Sequence, residues 1–165
     1  MIRLLIIVAA LMSVTLAPSA ALAREGLLAR ALSCRIDAGE VATLMDALAA
    51  NDAGMKSAAQ SFGAPSGDLY RLTAPVSALG YSTDAIYVSP GRILMVVSGQ
   101  DPALVSARLK LTHDPHGPAA RRIDGERQIV VYQLHQGDLD GKVLVGCEYG
   151  DPAALTWLAE DAAGF

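Results

Sequence analysis

The chain has 165 residues, of which 52% are hydrophobic and 18% are charged, and its formal net charge is −4 at pH 7. This length suits one domain with its own core, and the mildly acidic charge argues against a nucleic-acid or anionic-membrane partner. With only two cysteines and no Cys-x-x-Cys motif, the sequence does not favour a redox enzyme.

Residues 1–23 have the three parts of a secretory signal peptide. Arg3 is their only charge, the stretch 4–17 is apolar apart from one Ser and one Thr, and Ala21-Leu22-Ala23 is a small-x-small cleavage site. Because the apolar run is shorter than the roughly 20 residues of a spanning helix, cleavage is favoured over an N-terminal membrane anchor. The prediction is a periplasmic or secreted protein, without stable membrane insertion after cleavage, in which residues 24–165 form a single α+β domain of net charge −5.

The two cysteines, Cys34 and Cys147, are predicted to form a disulfide bond. Exported proteins meet an oxidising compartment, and neither residue has another cysteine to pair with. A crosslink over this span is worth about 4 to 5 kcal/mol in the chain-entropy model. The alternative is two free buried thiols.

The first predicted elements are helical. Residues 24–35 are predicted to be a lead-in with at most one helical turn. Asp37 and Glu40 then have the spacing of a capping box. Apolar residues with helical spacing follow this cap and recur from Met55. The sequence therefore predicts an N-terminal helix pair, or one bent helix, that ends at Gly63.

From Asp68 onwards the apolar period changes to two, which predicts strands. They are expected within residues 68–74, 84–89, 93–97, 128–134 and 142–150, and Pro75 indicates a strand end or sheet edge. In the last of them, Val145 shares a face with Cys147, which we expect the Asp37-capped helix to cover. Leu144 lies on the opposite face, which we expect to be partly wet.

Two Asp-Pro pairs, Asp101-Pro102 and Asp151-Pro152, predict helix starts fifty residues apart. The first helix is expected to turn Leu104, Ala107 and Leu111 inward. Each pair follows a hairpin, a pattern that either a repeated β-hairpin–helix unit or chance recurrence would produce. The fold class expected is α+β: an antiparallel sheet of about five strands with helices mostly on one face.

The loop 112–120 carries the sharpest candidate for chemistry. His113, Asp114 and His116 could supply three ligands of the type that zinc accepts, and the alternative is an exposed proline-rich loop. Asp138–Gly141 resembles part of a calcium loop, but the position that needs a bidentate Glu is a tyrosine, which favours a plain hairpin turn. No cofactor is predicted.

Phe62-Gly63-Ala64-Pro65 closes the predicted helix pair, and a strand begins near Tyr70. This stretch, within about Val41 to Val76, resembles the helix-pair-plus-sheet module of β-lactamase-inhibitor proteins and outer-membrane assembly lipoproteins, in which Leu-Gly-x-Pro closes the second helix. Here Phe62 replaces the leucine, and no lipid-bearing cysteine follows the predicted cleavage site. The resemblance implies a protein-binding module of the cell envelope.

The function expected is a non-catalytic binding or inhibitor-type module that contacts an envelope protein. Two alternatives stay open: a small exported hydrolase that uses a His in the 112–118 loop, and a metal-binding accessory protein. A pocket in which His113 or His135 meets a carboxylate would favour the hydrolase. An exposed apolar patch on the open face of the sheet would favour the binding module.

Overall fold

A computed structural model describes residues 20–49, 60–61, 67–152 and 154 of the chain. The helices are α1 (Ala20–Leu32), α2 (Ala38–Ala49) and α3 (Pro102–Leu109), and a 3-10 turn spans Gly137–Leu139. The strands are β1 (Gln60–Ser61), β2 (Asp68–Ala78), β3 (Tyr81–Ser89), β4 (Arg92–Val97), β5 (Ala119–Arg122), β6 (Arg127–Leu134) and β7 (Lys142–Tyr149). All pair in one antiparallel sheet, which confirms the predicted α+β class.

The strand order is β1-β2-β3-β4-β7-β6-β5, so two three-stranded meanders meet along β4 and β7. At the centre Met95 pairs with Val145, the residue fifty positions later. The two Asp-Pro pairs have the same separation, and each directly follows the last strand of its meander, β4 in the first and β7 in the second. The hairpin and helix of the first predicted unit are present. The helix predicted after Asp151-Pro152 lies outside the described residues.

The N-terminal helix pair that packs on the sheet consists of α1 and α2. The sequence predicts at most a turn where α1 stands, yet Leu28, Ala31 and Leu32 of this helix are buried against the sheet. The segment 50–59 is outside the description, and Gln60–Ser61 pairs with β2 as a strand. The prediction of a helix that continues to Gly63 is therefore wrong at these two residues.

The predicted capping box at the start of α2 is confirmed. The Glu40 backbone N–H donates to Asp37 Oδ1 at 2.9 Å, and the Asp37 N–H donates to Glu40 Oε2 at 3.3 Å. Val41 and Leu44 of α2 are buried in the main core. The helix that contacts β2, β4 and β7 is nevertheless α1, with α2 packed mainly against α1, whereas the sequence predicted that the capped helix covers the last strand.

The Cys34–Cys147 disulfide bond is present, with 5.1 Å between the two Cα atoms. Cys34 occupies the left-handed position that ends α1, with φ of 58°. Its N–H donates to Ala31 O at 3.1 Å, and the Arg35 N–H donates to Arg30 O at 2.8 Å, the pattern of a Schellman cap. The Tyr149 hydroxyl also donates to Ala31 O, at 2.8 Å, so two side chains of β7 fasten the end of α1.

The disulfide also bears on the compartment in which the protein resides. A structural disulfide is typical of an oxidising, extracytoplasmic location, and this much of the predicted localisation is supported. Among the helices that the structure describes, none is long and apolar enough to cross a membrane. The predicted signal peptide, residues 1–23, lies almost wholly outside the described residues.

Both faces of the sheet are buried, and this corrects one expectation. Val145 and Cys147 lie on the helix-covered face as predicted, although the helix over it is α1 and not the capped α2, and Leu144 on the other face is 0% exposed instead of partly wet. Leu94 and Val130, the cross-strand neighbours of Gly146, are buried there as well. Leu144→Asp would therefore bury an unpaired charge just as Val145→Asp would.

Gly146 is required by the close approach of β4. A Cβ atom at this position would lie 2.3 Å from Ile93 O and 2.9 Å from Leu94 Cα. These contacts are to backbone atoms of the neighbouring central strand, which cannot move aside without disturbing its pairing. The glycine therefore sets how closely the two meanders meet.

The left-handed Cys34 allows the crosslink to be tested separately from the backbone. In a Cys147→Ala background, we expect Cys34→Gly to be more stable than Cys34→Ala by about 1 kcal/mol, because glycine adopts positive φ without a steric cost. The free energy of unfolding of both double variants should be lower than that of the oxidised protein by up to about 4 to 5 kcal/mol. Urea unfolding measures all three, and equal stability of the Gly and Ala variants would contradict the cap.

Gly146→Ala should lower the free energy of unfolding by about 1 to 3 kcal/mol, the usual cost of forcing extra atoms into a packed interior. Gly125→Ala is the matched control, because a Cβ there meets nothing within 4 Å, and it should change stability by less than about 0.5 kcal/mol. Thermal unfolding followed by circular dichroism compares the two variants. If they melt together, the close contact of the central strands is refuted.

Candidate functional site

A surface groove of about 1010 Å³ lies between α3, the segment 111–119 and the end of β6. Small and apolar side chains form most of its lining, with polar groups contributed by two histidines, Ser106, Tyr132 and Gln133. No Asp, Glu, Lys or Arg is among the lining residues described for it. The groove is thus an apolar surface feature at one end of the sheet.

Helix α3 forms one wall, and both of its ends are capped. Asp101 Oδ1 accepts from the Ala103 N–H at 2.7 Å, and Pro102 is in the first turn, as the sequence predicts. At the other end Lys110 is left-handed with φ of 56°, and the Leu111 N–H donates to Ser106 O at 2.9 Å. A helix of eight residues is therefore held at a fixed length beside the groove.

Of the three residues predicted to face inward, only Leu111, just beyond the end of α3, packs against the core. Val105 is fully buried against the sheet, whereas Leu104 is 69% exposed and Ala107 is exposed. Leu104 is one of two large hydrophobic side chains exposed in the described part of the chain. Ala103 and Ala107 line the groove, whereas Leu104 lies on the stripe of the helix that carries Arg108, whose guanidinium is 4.8 Å from the centroid of the Tyr81 ring.

The predicted metal ligands lie in the opposite wall. His113 and His116 are exposed and line the groove, while Asp114 Oδ1 accepts from the His116 backbone N–H at 2.9 Å. Asp114 therefore shapes the turn of this loop. Among the described residues no group of three or more His, Cys, Asp or Glu is arranged to hold a metal ion, so metal binding by this loop remains a prediction without structural support.

The groups needed for hydrolysis do not meet in the groove. Within the described part of the chain, neither His113 nor His116 has a side-chain hydrogen bond to a carboxylate or a hydroxyl. His135 Nδ1 does lie 3.1 Å from Asp140 Oδ1, but both side chains are about 70% exposed and outside the groove. The Ser106 hydroxyl donates to Pro102 O at 2.7 Å. This separation does not favour the hydrolase.

A polar cluster on the second face of the sheet was not predicted. Glu148 accepts from Tyr132 Oη at 2.6 Å, from Arg92 Nε at 2.6 Å and from Gln128 Nε2 at 2.7 Å. The Arg92 guanidinium also lies 5.0 Å from the centroid of the Tyr132 ring. Because Tyr132 belongs to the groove lining too, the cluster fixes a residue of the candidate site from behind.

The ionisable groups of the cluster each keep one protonation state near neutral pH. Burial raises the pKa of Glu148, but the hydrogen bonds from Tyr132, Arg92 and Gln128 outweigh it, so the net pKa is lowered. Burial and the bond to Glu148 raise the pKa of the Tyr132 phenol. The carboxylate stays ionised and the phenol stays protonated, and neither is poised for proton transfer near pH 7. The cluster is structural.

No protein-family model, curated protein sequence or solved structure matches this chain. The resemblance of residues 41–76 to the β-lactamase-inhibitor and assembly-lipoprotein module therefore stays a prediction. Its four-residue motif, 62–65, falls outside the described residues.

We expect Glu148→Gln to reduce the free energy of unfolding by about 1 to 2 kcal/mol at pH 7, since hydrogen bonds to a charged acceptor are stronger than those to a neutral one. The folded-state pKa of Glu148 is lowered, so its contribution is complete at neutral pH. It should vanish as the pH falls below the ordinary carboxyl value of about 4.3 and through the folded-state pKa.

Urea titrations between neutral and acid pH measure this effect, and the wild-type and variant curves should converge at the acid end. Exposed Glu126 provides the control, because Glu126→Gln should leave stability nearly unchanged throughout. A stability difference for Glu148→Gln that persists unchanged in acid would count against the ionised cluster.

Proposed function

We propose that this protein is an exported, non-catalytic binding module that acts through protein–protein contact in the cell envelope, with the groove as its contact surface. The observation that carries the proposal is the groove itself, an apolar surface whose described lining residues include no Asp, Glu, Lys or Arg. Apolar surface that stays open on a folded domain is characteristic of an interaction site.

The surroundings of the groove support a pre-formed binding surface. Helix α3 is capped at both ends, β6 belongs to a sheet buried on both faces, and Tyr132 is held by Glu148 at 2.6 Å. A partner that binds such a surface does not have to order it first, which lowers the cost of association. The disulfide adds the durability that an extracytoplasmic protein needs.

The composition of the lining favours a protein partner over a small molecule. Small-molecule sites place several polar groups so that they converge on one ligand, and catalytic sites add a nucleophile or an acid–base pair. Among the described lining residues the two histidines are exposed and have no side-chain partner. Apolar side chains of another protein fit this lining best.

A matched pair of helix-surface variants tests the proposal. Ala107→Arg places a long cation in the groove wall, whereas Ala42→Arg makes the same change at an exposed position of α2. Tagged, oxidised protein is incubated with native envelope extract, and bound proteins are compared by quantitative mass spectrometry. We expect a partner that wild type and Ala42→Arg retain equally and that Ala107→Arg loses by about tenfold or more. Equal recovery by all three would refute the groove as the contact surface.

A further inference from the structure

We propose that the groove receives an extended segment of the partner as an added β-strand along residues 132–134 of β6, with a carboxylate of that segment facing Arg121. This inference rests on the proposed function and specifies its mode of recognition. Addition of a strand to an exposed sheet edge is a recurrent way to bind peptides, because main-chain hydrogen bonds supply affinity and side-chain pockets supply specificity.

The edge of β6 is open where the groove lies. β5 pairs only with Gln128–Val131, although β6 continues to Leu134 and remains paired with β7 over its whole length. No described strand pairs with the outer side of Tyr132–Leu134. Pro118 immediately precedes β5 and lacks a backbone N–H, so the chain itself is poorly suited to extend β5 along this edge.

The opposite edge of the sheet is protected, and the contrast is informative. β2 carries Pro75, has an irregular register between Arg71 and Val76, and is partly covered by the two residues of β1. These are common devices against unwanted edge pairing. Tyr132–Leu134 contains no proline and no charged residue, and its edge opens into an apolar groove.

Every second side chain of the added strand would lie between the two walls of the groove. Residues directly opposite each other in an antiparallel pair share a face, so a residue opposite Gln133 would point toward α3. There it would meet Ala103 and Ala107 on one side and Pro115 on the other. The segment is therefore expected to carry apolar residues at every second position.

The charge at the β5 end of the groove favours an acidic residue at that end of the segment, whereas the exposed Asp101 and Asp114 lie at the start of α3 and in the loop wall. Lys110 and Arg121 are exposed at the end where α3 and β5 come together, and Arg121 Nε donates to Leu109 O at 3.2 Å. Arg121 pairs with Ile129 and so lies on the α3 side of the sheet, whereas Arg122 pairs with Gln128 and lies on the other side. A carboxylate at the end of the segment nearest β5 would complement Arg121.

The test uses a random twelve-residue display library selected against the oxidised wild-type protein. We expect enriched peptides to alternate apolar residues and to carry an acidic residue near one end. The dissociation constant of a synthetic peptide is then measured by fluorescence anisotropy. Arg121→Glu should weaken binding by about tenfold, the effect of losing roughly 1.4 kcal/mol, and Arg122→Glu should not.

N-methylation along the same peptide reports the strand directly. A methyl group on the residue opposite Gln133 should weaken binding by about tenfold or more, and methyl groups on its two neighbours should have little effect, because within residues 132–134 only the main chain of Gln133 faces away from β7. If Ala107→Arg abolishes peptide binding but methylation opposite Gln133 costs no more than methylation of the neighbouring residues, strand addition is refuted and the groove stands. If Ala107→Arg has no effect, the groove fails as well. A selection that enriches no peptide over an unrelated oxidised protein also overturns strand addition, while the envelope experiment remains its own test.

Discussion

The covalent bond between Cys34 and Cys147 is the constraint on which the rest of the arrangement depends. It joins the last turn of α1 to the middle of β7, a central strand of the sheet. Tyr149, two residues further along β7, repeats the connection by donating to Ala31 O. Because α1 is held over β2, β4 and β7, that part of the sheet is closed, and α3 packs against β6 farther out. The groove lies beside α3.

The position of Cys34 shows that one residue serves two purposes with opposing demands. A helix that ends in a Schellman cap favours glycine at the left-handed residue, yet a crosslink needs a side chain. Cys34 has a φ of 58°, which lowers the free energy of unfolding by less than the crosslink raises it. Both cysteines are almost fully buried, so the bond is protected within the core.

Features set by local chemistry could be predicted from the sequence. Asp37 and Glu40 cap each other, Asp101 caps α3, and Val145 alternates onto the helix-covered face, all from short-range spacing. The first turn of α1 has no acidic residue to form a capping box and lies in the predicted signal peptide, and β5 has two arginines in a four-residue strand, so neither was evident. The burial of Leu144 depends on what covers the second face, which periodicity in one strand does not reveal.

The candidate site was predictable only in part, for a similar reason. The loop with His113 and His116 was recognised, but as a source of ligands instead of one wall of a groove. The remaining walls are small side chains on α3 and an unpaired stretch of β6, which leave no motif. In the Glu148 cluster, Arg92 lies 56 residues and Tyr132 lies 16 residues before Glu148 in the sequence. Only the sheet register brings such residues together.

The strand order has a consequence for how the chain matures as it emerges N-terminus first. β4 lies beside β7 at the centre of the sheet, so β4 remains a bare edge until about fifty further residues have followed it. Its residues 93–97 are apolar and buried in the finished sheet, and such an edge is prone to pair with other nascent chains. Cys34 likewise precedes Cys147 by 113 residues, so any disulfide formed in that interval is intermolecular. Correct maturation of this domain therefore requires that the outer edge of β4 stays unpaired and that Cys34 stays reduced until β7 arrives.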